Sequence, residues 1–347
     1  MRKGSFLKNS TKLRMVAETV LTVSPACVLN YAAYKIRQPQ PEIKLSRCGP
    51  VSASILVNRR CNLNCPWCVN GTLSPGLNLR DFDMNTERMK RLLLHPAVKR
   101  CLYIGLTGGE PLLNEKIAEI VRLVRKYGHI AGIVTNGILL RDRIRELKQS
   151  GVNQVSVSVY HAQVNALSDI LPEANRVLPA RTTAILQRSE LENTPGKIEE
   201  IIRLSYESGC RGTVLTFLFP QGGDREEVVY DDNPAYKDLK RRMTEKYPKY
   251  PLYWPAPLVR TPSRKDKKCR MPWFFIIVDA RGNLGLCCNY PPDPAGRYGN
   301  LFDSSAEKAL NLFEARELRT GLLPASPGVP AKCRDCFIIS DKWLSDV

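Results

Sequence analysis

Cys61-Asn62-Leu63-Asn64-Cys65-Pro66-Trp67-Cys68 places three thiols within eight residues, with three residues between the first pair and two between the second. The apolar run before it, 52–57, reads as a strand. The thiols therefore fall in a loop at a strand's C-terminal end, where the chain can curl three sulfurs around one centre. Three protein ligands leave one iron of a four-iron cluster open, and an open position is what a reactive cofactor needs. A zinc knuckle is the plainer reading, but structural zinc takes four closed ligands. The next candidate ligands are His95 and Cys101, more than twenty-five residues on.

From residue 52 onward, strand-like runs alternate with helical patterns six times. The strands read as 52–57, 101–106, 133–135, 154–160, 181–186 and 213–219. Gly128, Gly151 and Gly209 end the intervening helices, and Asn114 is the expected N-cap of the helix reaching Tyr127. Repeated βα units imply a parallel sheet whose strand C-termini carry the chemistry. After the second strand comes Thr107-Gly108-Gly109-Glu110-Pro111. Its glycines allow close approach of the backbone to a ligand. A tight turn would account for the glycines but not for the carboxylate.

A second cysteine set follows: Cys269, Cys287, Cys333 and Cys336. A hairpin over 274–278 and 284–286 would bring the first two together. The Cys333–Cys336 pair follows a helix expected over 306–318. Four thiolates saturate a [4Fe-4S] cluster or a zinc ion, and the residues alone allow both. Cys288, beside a proposed ligand, is an alternative ligand, a hydrogen-atom donor or a packed thiol. Cys27, Cys48, Cys101 and Cys210 read as structural.

The triplet, the aromatic Trp67 before its third thiol, and the Gly-Gly-Glu-Pro turn together resemble the radical S-adenosylmethionine (SAM) superfamily. The resemblance implies that Cys61, Cys65 and Cys68 hold a [4Fe-4S] cluster whose open iron takes SAM. It further implies that Trp67 and the Gly108, Gly109, Glu110 and Pro111 turn face SAM. Ser158 is nominated for the SAM ribose and Arg188 for its carboxylate. His161, just past the fourth strand, reads as a satisfied surface histidine. The fold implied is α/β: a partial (β/α)6 radical SAM barrel with a small C-terminal hairpin and helix domain. That C-terminal part resembles SPASM and twitch extensions, including Gly299-Asn300-Leu301 before the helix. With no cysteine after Cys336 it resembles the one-cluster twitch form, with an auxiliary [4Fe-4S] cluster on Cys269, Cys287, Cys333 and Cys336. The divisions expected are an N-terminal segment 1–49, a barrel 50–225, a linker 226–265 and an auxiliary domain 266–347.

The activity implied is reductive cleavage of SAM to a 5′-deoxyadenosyl radical, which abstracts hydrogen from substrate. The auxiliary cluster would then accept an electron, making the enzyme an oxidoreductase. A sugar or aminocyclitol, dehydrogenated or epimerised, ranks first among substrates. Peptide modification ranks next, because 50 residues are short for a peptide-recognition domain, and a lipid-linked substrate is the third. Cys288 is the candidate hydrogen donor if the outcome is reductive. An electron donor such as flavodoxin or ferredoxin is required. A zinc-stabilised binding protein without catalysis is the contrasting class.

At 347 residues and 43% hydrophobic, the chain can bury a barrel and a second unit. Twelve cysteines in short-spaced groups point to metal rather than a disulfide framework, and an oxygen-sensitive cluster points to a reducing, cytoplasmic setting. The net charge of +18 is spread along the chain without an RNA-binding signature, so no nucleic-acid partner is expected. Arg2, Lys3, Lys8, Lys12 and Arg14 precede an apolar run over 16–34 that also resembles a secretory signal. The run is too weak to span a membrane. A helix packed outside the barrel and a membrane-surface helix are its two readings. The five prolines of 248–262 mark a connector, with Tyr250, Tyr253 and Trp254 near a substrate entrance.

Overall fold

Ala53 and Ile55 are fully buried on one face of β1 (Ser52–Leu56), while Ser54 stays partly open on the other. The same alternation recurs in β4 (Gln154–Ser158) and β5 (Arg181–Leu186). Side chains of period two thus divide into an apolar outer face and a more polar inner one. In the computed structural model the described residues are 23–72, 76–218, 225–258, 269–323, 326, 328–334 and 336–338.

The remaining strands are β2 (Tyr103–Thr107), β3 (Ile130–Thr135), β6 (Thr213–Phe217), β7 (Leu252–Tyr253), β8 (Phe275–Asp279) and β9 (Leu284–Gly285). They form one sheet in the order β7-β6-β5-β4-β3-β2-β1-β8-β9. Every pairing is parallel except β8 with β9. Besides a short helical turn over Val69–Thr72, the helices are α1 (Pro25–Ile36), α2 (Thr86–Leu94), α3 (Ile117–Lys126), α4 (Leu140–Gln149), α5 (Val164–Val177), α6 (Arg188–Asn193), α7 (Gly196–Glu207), α8 (Pro234–Lys246), α9 (Met271–Phe274), α10 (Ala306–Leu310) and α11 (Phe313–Gly321). α3 shows why they cover the sheet: Ile117, Ile120, Val121 and Val124 form one buried stripe. Each such side chain contributes about 1.5–3 kcal/mol by leaving water.

The six βα units are present, but the hairpin is not a separate appendage. β8 runs parallel beside β1, with Ser52 opposite Phe275 and Leu56 opposite Asp279. The segment expected as a linker also contributes to the fold. Asn233 caps α8 by accepting from Tyr236 N at 2.8 Å, and β7 adds to β6. Its aromatics mostly pack: Tyr250 bonds Thr213 Oγ1 at 3.0 Å, and Trp254 meets the Tyr236 ring edge-on. Tyr253 lies under Arg181, 5.5 Å from its guanidinium. The helix expected over 306–318 is broken at Asn311. Its amide makes two 2.8 Å bonds with the Ile43 main chain, which takes Asn311 out of the helix. Asn114 is not the expected helix cap: α3 begins at Ile117, with Lys116 in the N-cap position and no side-chain cap. It accepts from Lys116 N and donates to Val57 O and Met84 O, tying the exit of β1 to its neighbours.

α1 lies across the entry ends of three strands rather than on the barrel's flank. Ser24 N donates to Gly128 O just before β3, and Asn30 donates to Gly49 O, Pro50 O and Arg100 O before β1 and β2. Among the described residues no helix is long and apolar enough to cross a membrane. The basic stretch over 1–14 and Pro262 of the connector lie outside the described residues.

Candidate active site

Asn58, Arg59 and Arg60 lead from the exit of β1 into the thiol loop, and the turn after β2 is laid directly against them. Gly109 N donates to Asn58 O at 3.0 Å, and Glu110 N to Arg60 O at 2.8 Å. Asn58 Nδ2 returns a bond to Glu110 O at 2.8 Å. A Cβ on Gly108 would stand 2.2 Å from Asn58 O, and one on Gly109 2.0 Å from Arg60 O. The first approach the glycines allow is therefore to the thiol loop itself, not to a ligand.

Glu110 is fully buried. Its carboxylate accepts from Leu112 N (3.0 Å), Thr135 Oγ1 (2.7 Å) and Asn136 N (2.7 Å). Burial holds its pKa above the usual carboxylate range, against those three bonds. The side chain expected to face SAM thus joins the β2 turn to the end of β3, and Pro111, buried behind it, starts a short helical turn.

Cys61 is exposed, and Cys65 and Cys68 are half-buried. Burial raises the Cys61 and Cys65 thiols, and the neighbouring thiols of the triplet raise them further. Asn136 was not nominated from sequence, yet its amide lies 4.0 Å from Cys61 Sγ and 2.7 Å from Asn62 Oδ1. Its position in Thr135-Asn136-Gly137 at a strand exit was the available signal. Tyr160 is a second unnominated neighbour. Its ring packs at 5.7 Å and 60° on Trp67. Its phenol is pushed up to about 12 by burial, then by Cys65 and Cys68.

A cavity of about 180 Å³ opens here, lined by Trp67, Tyr160, His161, Ile185, Gln187 and Glu190 among others. Ser158 ends β4 two residues before Tyr160, half-buried on the inner face. His161 pairs with Glu200 at 2.8 Å. Arg188 does not turn this way. It opens α6, donates to Glu226 O, and lies 3.7 Å from Glu192 one turn on. Gln187 and Glu190 take the place expected of it at the cavity.

The second thiol set gathers elsewhere. Cys269, Cys287, Cys288, Cys333 and Cys336 line one small pocket with Met271, Pro272, Leu318 and Leu322. Burial first, then the other thiols, raises Cys269 to about 12 and Cys288 to about 11, and Cys287 well above its ordinary value. Cys333 also stands at about 12, by burial and by Cys336. Cys288 therefore belongs to this pocket, not to the cavity beside Trp67, and its place does not support the donor role expected of it. Among the described residues no three His, Cys, Asp or Glu side chains close into a group for a single ion.

The two sets lie at opposite ends of one strand pair. Cys269 comes before β8 and Cys287 after β9, so both flank the end where β8 begins. Val51 N donates to Phe274 O there, at the start of β1, whereas the triplet follows the exit of β1. Five strand residues place about 16 Å between those ends.

A sequence model described as the radical SAM superfamily matches residues 55–232, half of the chain. The chain belongs to the radical SAM superfamily. A second model, an iron-sulfur cluster-binding (SPASM) domain, matches residues 269–337. The PqqA peptide cyclase of Xanthomonas euvesicatoria pv. vesicatoria (strain 85-10) is 27% identical over 315 residues, 83% of this chain and 80% of that protein. A GTP 3′,8-cyclase of Clostridium perfringens (strain SM101 / Type A) is 35% identical over 112 residues, 30% of this chain and 33% of that protein. The radical SAM chain thus spans a third of the length of that cyclase. Streptococcus suis SuiB bound to precursor peptide SuiA shares the fold, with a TM-score of 0.59 at 14% identity over 84% of this chain and 70% of that one.

SAM and [4Fe-4S] clusters are accordingly the cofactors of this radical SAM enzyme. The donor sets suit them: three adjacent thiols at a strand exit leave an iron open for SAM, and five thiols around an apolar pocket suffice to close a second cluster.

Proposed function

We propose that the enzyme binds SAM at a cluster held by Cys61, Cys65 and Cys68 and oxidises a peptide substrate. The observation that carries this reading is the pair of thiol sets about one strand length apart. One has room for a ligand, and the other can supply four protein ligands. When bound, the reduced cluster and SAM supply one-electron cleavage and a hydrogen-abstracting radical.

The chain's own residues do the holding. The β2 turn and Asn136 fix the thiol loop. Trp67 and Tyr160 wall the cavity beside it, where the nucleoside part of SAM fits between aromatic and apolar side chains. Glu190 and Gln187 offer polar contacts at its rim, and Ser158 at the exit of β4 lies near it. In the second set, Cys269, Cys333 and Cys336 are proposed as ligands, with Cys287 and Cys288 as adjacent candidates for the fourth position. The one-cluster form and a role as electron acceptor rest on this set. An external one-electron reductant, such as a flavodoxin or ferredoxin, completes the scheme.

A peptide replaces the sugar or aminocyclitol that ranked first in sequence. The support is the PqqA peptide cyclase, which matches over most of both chains. The test is anaerobic turnover with SAM and dithionite, offering short peptides encoded beside the gene and, separately, a panel of sugars and aminocyclitols. A peptide product lacking two hydrogens, formed with 5′-deoxyadenosine, supports the reading. A sugar product with inert peptides overturns it.

A further inference from the structure

α1 turns apolar side chains outward as well as inward. Its polar Asn30 is fully buried and pinned by four hydrogen bonds to Gly49, Pro50 and Arg100. Cys27 and Tyr34 face inward beside it. The outward face carries Val28 (37% exposed), Leu29 (66%) and Ile36 (82%), with Ala32 between them. These residues sit at helical spacing on one stripe, and Lys35 is the cation at its margin. A surface helix ordinarily shows the reverse arrangement.

Cations surround the end of the stripe. Immediately beyond α1 lies a cavity of about 510 Å³, with Arg37, Lys44 and Arg47 on its walls. Glu42, the acid in that lining, is held by Arg316 at 3.2 Å. The sequence leading to α1 adds five cations and no acid within residues 1–14. Apolar side chains beside a cationic rim match the acyl boundary and headgroups of an anionic bilayer. At twelve residues, about 18 Å, the helix is too short to span and suited to lie in the interface plane.

We propose that α1 and the 37–47 turn dock the enzyme on an anionic membrane surface. This face lies at the strand entry end, away from the Trp67 cavity, so docking leaves SAM binding unobstructed.

The test is flotation of the anaerobically reconstituted full chain with vesicles of mixed phosphatidylcholine and phosphatidylglycerol, and of phosphatidylcholine alone. Wild type should float with the anionic vesicles and detach as salt rises. L29E/I36E should bind them at least about tenfold more weakly, and R37E/K44E/R47E should lose the salt-sensitive part. Y206E, altered at an exposed apolar site (51%) on α7, which packs on β5, should bind like wild type. All three variants should keep SAM cleavage in solution, and the first two the melting temperature. Failure of wild type to float, or unchanged flotation of L29E/I36E, overturns the proposal. So does a wild-type dimer that L29E/I36E makes monomeric without any vesicle binding, which would assign the face to a second copy.

Discussion

Arg59 Nη2 stands 3.5 Å from Asp279 Oδ2, with both side chains almost completely buried. Arg59 leads into the thiol loop at the exit of β1, and Asp279 ends β8. Arg59 also donates to Pro292 O at 3.2 Å and stacks 4.8 Å from the Phe82 ring. Asp279 meanwhile accepts from Arg281 N and Asn283 N in the hairpin turn. One ion pair thus joins the loop that carries the first thiol set to the hairpin that positions the second.

Removing one partner strands the other charge in the interior. R59M and D279L should each destabilise the protein by about 3–5 kcal/mol, and R59M/D279L by less, because no lone charge is then buried. Thermal unfolding of the four proteins of the cycle checks this. A loss for the double variant equal to the sum of the two single losses would mean that the pair is not coupled.

Gly109 tests the joint between turn and loop. Its absent Cβ makes room for Arg60 O, so G109A must push the two backbones apart. The expected outcome is loss of about half the iron, with SAM cleavage abolished and the auxiliary thiols still occupied. Iron analysis with electron paramagnetic resonance reads both sites.

Much of this was legible beforehand, for identifiable reasons. Thiol spacing and the Gly-Gly-Glu-Pro turn are local in sequence, and period-two alternation marks β1, β4 and β5 directly. Contacts between distant segments were not legible. Nothing near Asn311 announces that Ile43, over 250 residues away, will draw it out of a helix. Arg188 was nominated from its place after β5, but a Glu one helical turn on and the Glu226 carbonyl hold it elsewhere. The polarity of α1 was hidden because an apolar run reads alike whichever face turns inward.

Asn136 and Arg188 should therefore behave oppositely. N136A should lower SAM cleavage about tenfold or more, through loss of its contacts to Cys61 and Asn62. R188A should leave the KM for SAM within about twofold, since its guanidinium is engaged on the exposed side of α6. Steady-state kinetics of 5′-deoxyadenosine formation separate the two. A large KM increase in R188A would restore the nomination made from sequence.

His129 carries a pH dependence. It is fully buried at the entry of β3, its Nδ1 2.6 Å from Cys101 O, and burial depresses its pKa despite that bond. A depressed base favours the neutral folded form. Its contribution is present in full above the unfolded value near about 6.5 and is lost as pH falls through the folded value. Melting temperature should drop between about pH 7.5 and pH 5.5 in wild type, and less in H129Q. Parallel curves would remove His129 as the cause.

The most direct test of two clusters in one fold is iron and sulfide content after anaerobic purification, with C61A/C65A/C68A alongside. Wild type should hold about eight irons and the triple variant about four, with SAM cleavage lost only in the variant. Equal iron in both proteins, or zinc in place of iron at the second set, would contradict it.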